Sequence, residues 1–433
     1  MNVTLVGFLM IAIIVAILLW GKVSIAPVFV IVPIIGAALC GYDLNKINTF
    51  MGDGLKSVLN TAALFAFAVM YFSLLSDVGM FDVIVKKVMK YMGNKVEMVL
   101  LMAAFVATIS HLDGSGATTM LITIPTMLPI FKKMKIRPEA LLLMAALASG
   151  SMNVTPWCSS VLRLTSAVGG DPQELWMYIL PLQIIALLLT YASVIVVGRV
   201  ERKNGAGMSD EEFAELKKTI DEPAKISVSH GVLAFDMVMT VVLIVLLLTG
   251  ILKTNLGFMV AFSIALVVNY PSVKMQSAKI REYGGAALNM IIIIFAIGVL
   301  VGITSGTGMI AGMANAFVSV IPEGMGERLP ILLSFFSVPL SMIIGSDTVY
   351  LVLAPILATI LKTYGISTLI LSAALLMGSC LAANLTLIGP TPYLALGLAD
   401  VEMGAHLKYS FKYVWAIGII VTVAAGVLNI IPF

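Results

Sequence analysis

Charged residues are scarce in this chain. Asp, Glu, Lys and Arg make up 11% of its 433 residues, whereas 60% of the residues are hydrophobic. Soluble domains contain about 25% charged residues, so the composition excludes an ordinary cytosolic enzyme. The formal net charge of +3 is too small to indicate nucleic-acid binding.

Cysteine and histidine are also sparse. The three cysteines (Cys40, Cys158 and Cys380) lie far apart and form no CxxC pair, which predicts neither a disulfide framework nor a zinc site. The three histidines form no HxxxH pair, and no HExxH or serine–histidine–acid set is present. The sequence therefore predicts a protein that is not an enzyme and has no tightly bound cofactor.

Long apolar runs dominate instead. Residues 3–20 and 237–252 approach the ~20 residues that a helix needs to span a bilayer. The first run lacks a basic n-region and a cleavage site, which favours a retained span over a signal peptide. We expect an all-α, multi-pass protein of the cell membrane, the inner membrane in a bacterium.

Two parts of the chain share an order of features. A Leu-Asn pair and a Gly-Met pair recur, so that Asn60 and Gly79 match Asn289 and Gly308 with the same spacing. After each Gly-Met comes an interrupted amphipathic stretch, then an apolar stretch with a polar kink, then a span broken by proline and polar residues. This order predicts two repeats, 1–198 and 231–433, joined by a cytoplasmic linker, 199–230.

Basic residues predict the orientation of each repeat. Lysines and arginines cluster at 86–95, 132–137 and 199–230, and such loops face the cytoplasm. This assignment makes the kinked segments 98–131 and 330–361 re-entrant hairpins that enter from opposite sides. Each repeat then has five spans, and because five is odd, the second repeat is inverted relative to the first. The ten spans lie near 3–20, 23–42, 58–78, 139–170, 176–198, 232–252, 256–272, 286–305, 366–398 and 411–431. If both kinked segments were ordinary spans instead, the first two basic clusters would face opposite sides, which disfavours that alternative.

The hairpin tips and broken spans contain the candidate site. Inverted repeats with broken helices are typical of secondary transporters, whose sites lie where the repeats meet. Helix N-termini and free backbone N–H groups bind carboxylates, and side-chain oxygens bind hard cations. The expected substrate-binding residues are Ser115, Gly116, Thr118, Thr119, Asn153, Thr155, Arg163, Ser346, Thr348, Asn384, Thr386 and Thr391.

Three residues are expected to couple transport to protons or cations. Intramembrane carboxylates are costly and usually functional, which selects Asp113 and Asp347, with His111 beside the first. Both aspartates are also candidates to contact a metal held by the substrate. The same residues also have structural interpretations. Each aspartate could only cap a half-helix, and the serine and threonine hydroxyls could bond carbonyl groups of their own helices. Arg163 could pair with Glu174 or extend to the surface.

Several stretches resemble one family. The sequence LDGSGATTMLITIPTMLPIFKKMKI at 112–136 is similar to the first hairpin of the citrate–metal–proton symporter (CitMHS) family, within the ion transporter superfamily. ASGSMNVTPW, PLSMIIGSDTVY and YLALGLADVEMGAHLKYSFKYVW resemble further family stretches in the same order. The resemblance covers nearly the whole chain, although the family usually has a second acid where this chain has Ser115.

The resemblance implies a function and an architecture. It implies import of citrate as a complex with a divalent cation, Mg²⁺ or Ca²⁺, driven by protons. It also implies a homodimer of two-repeat subunits, each with a scaffold domain and an elevator-like transport domain. The sequence thus predicts a symporter for a di- or tricarboxylate, with citrate first. The alternatives are a Na⁺-coupled organic-acid carrier, a membrane-embedded enzyme that uses Asp113 and His111 as an acid–base pair, and a passive channel.

Overall fold

The structure is a computed structural model that describes residues 2–20, 22–89, 93–213, 215, 226–318, 326–387 and 390–432. Regular structure in these residues is helical, with no strand. The first half contains α1 (Val3–Trp20), α2 (Ile25–Leu39), α3 (Leu44–Asp77), α4 (Met80–Met89), α5 (Val96–Ser110), a 3₁₀ turn (His111–Asp113), α6 (Gly116–Lys133), α7 (Pro138–Met152), α8 (Ser159–Val168) and α9 (Pro172–Lys203).

The second half repeats this order. It contains α10 (His230–Leu248), α11 (Thr254–Asn269), α12 (Val273–Gly306), α13 (Met309–Val318), α14 (Leu329–Ile344), α15 (Ser346–Thr348), a π turn (Val349–Leu353), α16 (Ala354–Thr363), α17 (Thr368–Ala382), α18 (Pro390–Ala399) and α19 (Met403–Val427). Helices α3 and α12 have 34 residues each, α4 and α13 have 10, α7 and α17 have 15, and α8 and α18 have 10.

The two long helices begin well before the apolar spans expected at 58–78 and 286–305. Asp43 caps α3 by accepting the Lys46 N–H at 2.9 Å, and Ser272 caps α12 by accepting the Met275 N–H at 3.3 Å. Such caps satisfy N–H groups that have no partner within the helix. Hydropathy alone marked only the apolar second part of each helix, because the capped first part is polar.

Helices α3 and α12 pack against each other through glycine. A Cβ atom on Gly54 would overlap the carbonyl oxygen of Gly298, and one on Gly302 would overlap that of Phe50. Small residues at a crossing let two backbones approach closely. Helix α3 also packs on α11, and α12 packs on α2, so each long helix contacts the second helix of the other half.

The hairpin and broken helices pack together as well. Helix α5 contacts α6, α7 and α9, and α14 contacts α17 and α19. Helices α7 and α17 approach at Gly150, where a Cβ atom would lie 2.7 Å from the carbonyl oxygen of Cys380. The three cysteines are free thiols.

Six helical segments of the described chain are long and apolar enough to cross a membrane, and α12, bent by 53°, is a seventh if counted as one span. Two of the six, Val96–Asp113 and Ser346–Thr363, belong to the expected hairpins. Length and composition therefore do not separate a hairpin from a crossing. The later parts of both amphipathic stretches (90–92 and 319–325) and much of the linker (214 and 216–225) lie outside the described residues.

Candidate functional site

Each expected hairpin is interrupted at a glycine whose backbone conformation is unfavourable for a residue with a side chain. Gly114, with φ of +72°, joins the 3₁₀ turn to Ser115 and α6. Gly345, with φ of +80°, separates α14 from α15. Positive φ is strained for residues that carry a Cβ. A glycine therefore stands at each interruption because the backbone conformation there favours one.

Each tip is held by the broken span of its own half. The first break lies between α7 and α8, where the Trp157 Nε1–H donates to the carbonyl oxygen of Leu112 at 2.9 Å. In the second break, between α17 and α18, the Leu387 N–H donates to the carbonyl oxygen of Met342 at 3.1 Å. These bonds satisfy backbone groups that the broken helices leave free, as non-helical backbone in a membrane requires.

Each tip also contacts the short helix of the other half. Arg163 on α8 forms an ion pair with Asp347 in the second tip. Gly116 at the start of α6 lies against α18, because a Cβ atom there would be 3.1 Å from Thr391 Cγ2. The tips and breaks of both halves therefore surround one space.

That space is a cavity of about 400 Å³. Its size is in the range of small-molecule sites. It is lined by Val23, Ser24, Ile25, His111, Gly114, Gly116, Ser149, Asn153, Ser159, Ser160, Arg163, Ile344, Gly345, Ser346, Asp347, Thr348, Ala383, Asn384, Thr386, Thr391 and Pro392.

Four helical segments begin at the cavity. Gly116 starts α6, Ser159 starts α8, Ser346 starts the helical run through α15 and α16, and Thr391 lies in the first turn of α18. Helix N-termini carry partial positive charge and free N–H groups. The starts of α8 and α15 have no side-chain cap, so their N–H groups are available to an anion.

The cavity contains one ion pair from opposite halves. The side chains of Arg163 and Asp347 are 18% and 36% exposed, so water reaches the pair only in part. The Arg163 Nε is buried and makes no hydrogen bond within the described part of the chain. The guanidinium thus retains a donor beyond its bond to Asp347.

His111 has a defined tautomer. The hydroxyl of Thr119 donates its hydrogen to the carbonyl oxygen of Ser115 at 2.8 Å, and lies 2.7 Å from His111 Nδ1. Because a threonine hydroxyl has one hydrogen, Nδ1–H is the donor to Thr119. The buried Nε2 then carries a lone pair and makes no hydrogen bond among the described residues. His111 can therefore accept a proton at Nε2.

Some expected site residues lie behind the cavity lining, where they bond to the hairpin or to the break itself. Asp113 Oδ1 accepts the N–H of Ser115 at 2.8 Å within its own turn. The Ser115 hydroxyl caps α6 by accepting the Thr118 N–H at 3.3 Å. Thr155 is buried beside the thiol of Cys158. Asp113, Ser115, Thr118, Thr119 and Thr155 are absent from the cavity lining, and their expected roles stay predictions.

The other expected residues are brought together in the lining. Asn153 donates to the Ser160 hydroxyl at 2.8 Å within the first half. Asn384 donates to the Ser149 hydroxyl at 2.9 Å, and this bond joins the two halves. Gly116, Arg163, Ser346, Thr348, Thr386 and Thr391 line the same cavity, as do Asp347 and His111.

Sequence reasoning missed several lining residues. Ser159 and Ser160 follow the first break directly, and their place at a helix start is a signal that could have identified them. Ser149 lies one turn before that break. Residues 23–25, which lead from the connection after α1 into the start of α2, carry no signal in the sequence.

The described residues contain no group of three or more His, Cys, Asp or Glu side chains placed to bind a metal ion. Divalent cations such as Ca²⁺ and Mg²⁺ take about six or more oxygen ligands. A cation in this cavity would therefore take most of its ligands from a substrate or from water, with Asp347 as the carboxylate available in the lining.

Comparisons with known proteins agree with one another. Residues 1–324 match the family model described as citrate transporter (CitMHS). The chain is 33% identical to the citrate transporter of Bacillus subtilis (strain 168), over 99% of both chains. It is 31% identical, over 98% of both, to a protein of that strain called Mg(2+)/citrate complex secondary transporter.

Two solved structures share the fold. The YdaH transporter of Alcanivorax borkumensis aligns with a TM-score of 0.61 at 14% identity, covering 89% of this chain and 87% of that one. MtrF of Neisseria gonorrhoeae aligns with a TM-score of 0.62 at 13% identity, covering 88% and 83%. At such identity the likeness concerns the fold alone.

Proposed function

This chain belongs to the citrate transporter family, and we propose that it is a secondary active symporter that imports citrate as a complex with a divalent cation, Mg²⁺ first, driven by protons. The family and its named relatives establish a multi-pass membrane transporter rather than an enzyme. The observation that carries the proposal is the cavity in which four helix N-termini meet beside Arg163.

The cavity suits a compact polyanion. Helix N-termini attract carboxylates from several directions, and a guanidinium binds one carboxylate with two parallel hydrogen bonds. Arg163 lines the cavity from α8, and its Nε is buried without a hydrogen-bond partner in the described part of the chain. Serine, threonine and asparagine side chains supply further hydrogen bonds to carboxylate or hydroxyl groups.

The Arg163–Asp347 ion pair supports recognition of a metal complex. A citrate carboxylate would replace Asp347 at Arg163, and the cation held by the citrate would then take the released Asp347 carboxylate. Free citrate could bind Arg163 but would leave the Asp347 carboxylate unpartnered beside another anion, which is unfavourable in a partly buried site. The complex leaves neither charge unpaired.

Proton coupling is assigned to groups at the same cavity. In the tautomer assigned above, His111 Nε2 is unprotonated, and it has no hydrogen-bond partner in the described structure; in our proposal, Asp347 would change partner when substrate binds. Protonation of His111 would add positive charge near the anionic complex. Asp113, in the same 3₁₀ turn as His111, is the third coupling candidate.

The proposed architecture is two inverted repeats, 1–198 and 231–433, that move in an elevator-like cycle within a homodimer. Support comes from the matched helix lengths and from the reciprocal packing of α3 on α11 and α12 on α2. We assign α1–α4 and α10–α13 to the scaffold. The hairpins, the broken helices, α9 and α19 form the transport unit.

The test is uptake of labelled citrate into proteoliposomes under an imposed pH gradient, with Mg²⁺, with Ca²⁺ and with a chelator. We expect saturable uptake that needs both the gradient and a divalent cation. Replacement of Na⁺ by choline should leave it unchanged, whereas loss of uptake would indicate Na⁺ coupling. Uptake no greater than in empty vesicles, across a panel of di- and tricarboxylates, would refute the proposal.

A further inference from the structure

Asp236 is a carboxylic acid buried away from the cavity. It lies on α10 with 0% of its surface exposed, whereas Phe235 and Val238 on the same helix are 42% and 63% exposed. Its side chain therefore faces neighbouring helices rather than lipid. No residue of α10 or α11 lines the cavity, so the transport proposal does not use this group.

Asn269 on α11 is the side-chain partner of Asp236. One hydrogen of its Nδ2 goes to Asp236 Oδ1 at 3.1 Å, and the other goes to the carbonyl oxygen of Ala265 at 2.9 Å. Both amide hydrogens are therefore used. Asp236 Oδ2 and Asn269 Oδ1 are buried and have no hydrogen-bond partner in the described part of the chain.

Other nearby groups do not supply the missing hydrogen. The Thr240 hydroxyl donates to the carbonyl oxygen of Asp236 at 2.7 Å. The Tyr71 hydroxyl, 2.8 Å from Thr240 Oγ1, must then donate to Thr240. Lys279 on α12 pairs with Asp77, and within the described residues no basic side chain forms an ion pair with Asp236.

We propose that Asp236 is protonated and that this pair is a site for a resident proton. A hydrogen on Oδ2 would donate to Asn269 Oδ1, while the Asn269 amide donates to Oδ1 of the acid. One proton then partners both unsatisfied oxygens and removes a buried charge, which is otherwise costly in a membrane.

Two other arrangements fit the observations less well. Rotating the Asn269 amide by half a turn would place its oxygen against the carbonyl oxygen of Ala265, which already fixes the amide orientation. Among the described residues a bound cation would have two unsatisfied side-chain oxygens here, whereas hard cations need several more ligands.

The location indicates a proton that stays in place. The pair joins α10 to α11, and α11 packs on α3, within the helices assigned to the scaffold. Titratable side chains on the neighbouring segments include Tyr71, which bonds Thr240, and the mutually bonded group of Asp77, Tyr270, Lys279 and Tyr283. Lys279, Tyr270 and Tyr283 all contact Asp77 rather than Asp236.

Infrared spectroscopy of the purified full-length protein at neutral pH tests the proposal. The carbonyl band of a protonated carboxylic acid should be present in the wild type and in Asp43→Asn, a change of an exposed helix cap, and lost in Asp236→Asn. Asn269→Leu should shift the band, because it removes the acceptor of the proton. A band that is unaffected by both Asp236→Asn and Asn269→Leu would overturn the proposal.

Stability and uptake separate a resident proton from a cation or a transported proton. Asp236→Asn should unfold at a temperature close to that of the wild type, because the new amide can still donate to Asn269 Oδ1 and accept from its Nδ2. It should also keep gradient-driven uptake. Protection of the wild type by Na⁺ or K⁺ that disappears in Asp236→Asn, or uptake by that variant that no longer responds to the pH gradient, would contradict the proposal.

Discussion

The two hairpin tips occupy matching places in the chain but use their aspartates differently. Asp113 accepts a backbone N–H within its own turn and does not line the cavity. Asp347 lines the cavity and pairs with Arg163 from the other half. An acid that already stabilises a turn is less available to a ligand than one held by an exchangeable ion pair.

The difference also concerns the neighbours. The first tip has a second titratable group, His111, whose Nε2 makes no hydrogen bond among the described residues, and the Ser115 cap completes the turn. The second tip has neither, and Gly345 leads directly into an uncapped helix start at Ser346. We infer that the second tip binds the metal–carboxylate complex and that the first supplies the proton acceptor.

The largest expected effect is that of Arg163→Ala. The change removes the partner of a substrate carboxylate and leaves Asp347 in the cavity without its counter-ion. Hydrogen bonds to charged groups contribute about 1.5–3 kcal/mol, and the guanidinium can make two to one carboxylate, so we expect the KM for metal–citrate uptake to rise about 30-fold. Initial rates in proteoliposomes measure this.

The control is Arg163→Lys, which keeps the charge but cannot bind a carboxylate with the planar two-donor geometry. It should restore part of the lost uptake. Equal KM values for the wild type and Arg163→Ala would show that Arg163 does not contact the substrate.

Asp347→Asn should change the response to metal. Without the carboxylate, the cation of the complex loses a charged ligand, while Arg163 becomes free for citrate alone. Hydrogen bonds to charged groups contribute about 1.5–3 kcal/mol, so we expect apparent affinity for the Mg²⁺ complex to fall about tenfold. Direct binding of free citrate, measured in a chelator, should strengthen in the same variant.

Undiminished Mg²⁺ dependence of uptake in Asp347→Asn would contradict the proposed role of Asp347 but not the proposed substrate. The protein would still be a metal–citrate transporter, but exchange at the Arg163–Asp347 pair would not be the basis of its selectivity. Ser346→Ala, in the same tip and lining the same cavity, serves as the matched control, because it leaves both charges in place.

Much of the fold was predictable because a membrane restricts the choices. Apolar runs identified the helices, and Gly, Ser, Asn and Pro clusters identified both breaks. The all-helical membrane fold and the family were confirmed, while the inversion of the repeats stays a prediction. The early starts of α3 and α12 were missed, since their capped first parts are polar and hydropathy does not detect them.

The site was less predictable, because it depends on which side chains face a common space. Many polar residues of the tips and breaks line the cavity, whereas Thr119 is turned into its own hairpin, and their roles stay predictions. Sequence spacing gave no reason to prefer Asp347 over Asp113 as the partner of Arg163. That preference depends on the contact between α8 and the second tip, which arises only when the two halves pack.

The smallest expected effect is that of Asp113→Asn. An asparagine Oδ1 can accept the Ser115 N–H as the aspartate does, and asparagine forms the same kind of turn. We therefore expect the KM for metal–citrate uptake to change by no more than about threefold, much less than in Asp347→Asn. Citrate exchange without a gradient is measured beside gradient-driven uptake, because exchange requires binding but no net proton movement. If Asp113→Asn kept exchange but lost gradient-driven uptake, Asp113 would be the coupling acid and the contrast between the tips would be one of proton transfer, not of ligand contact.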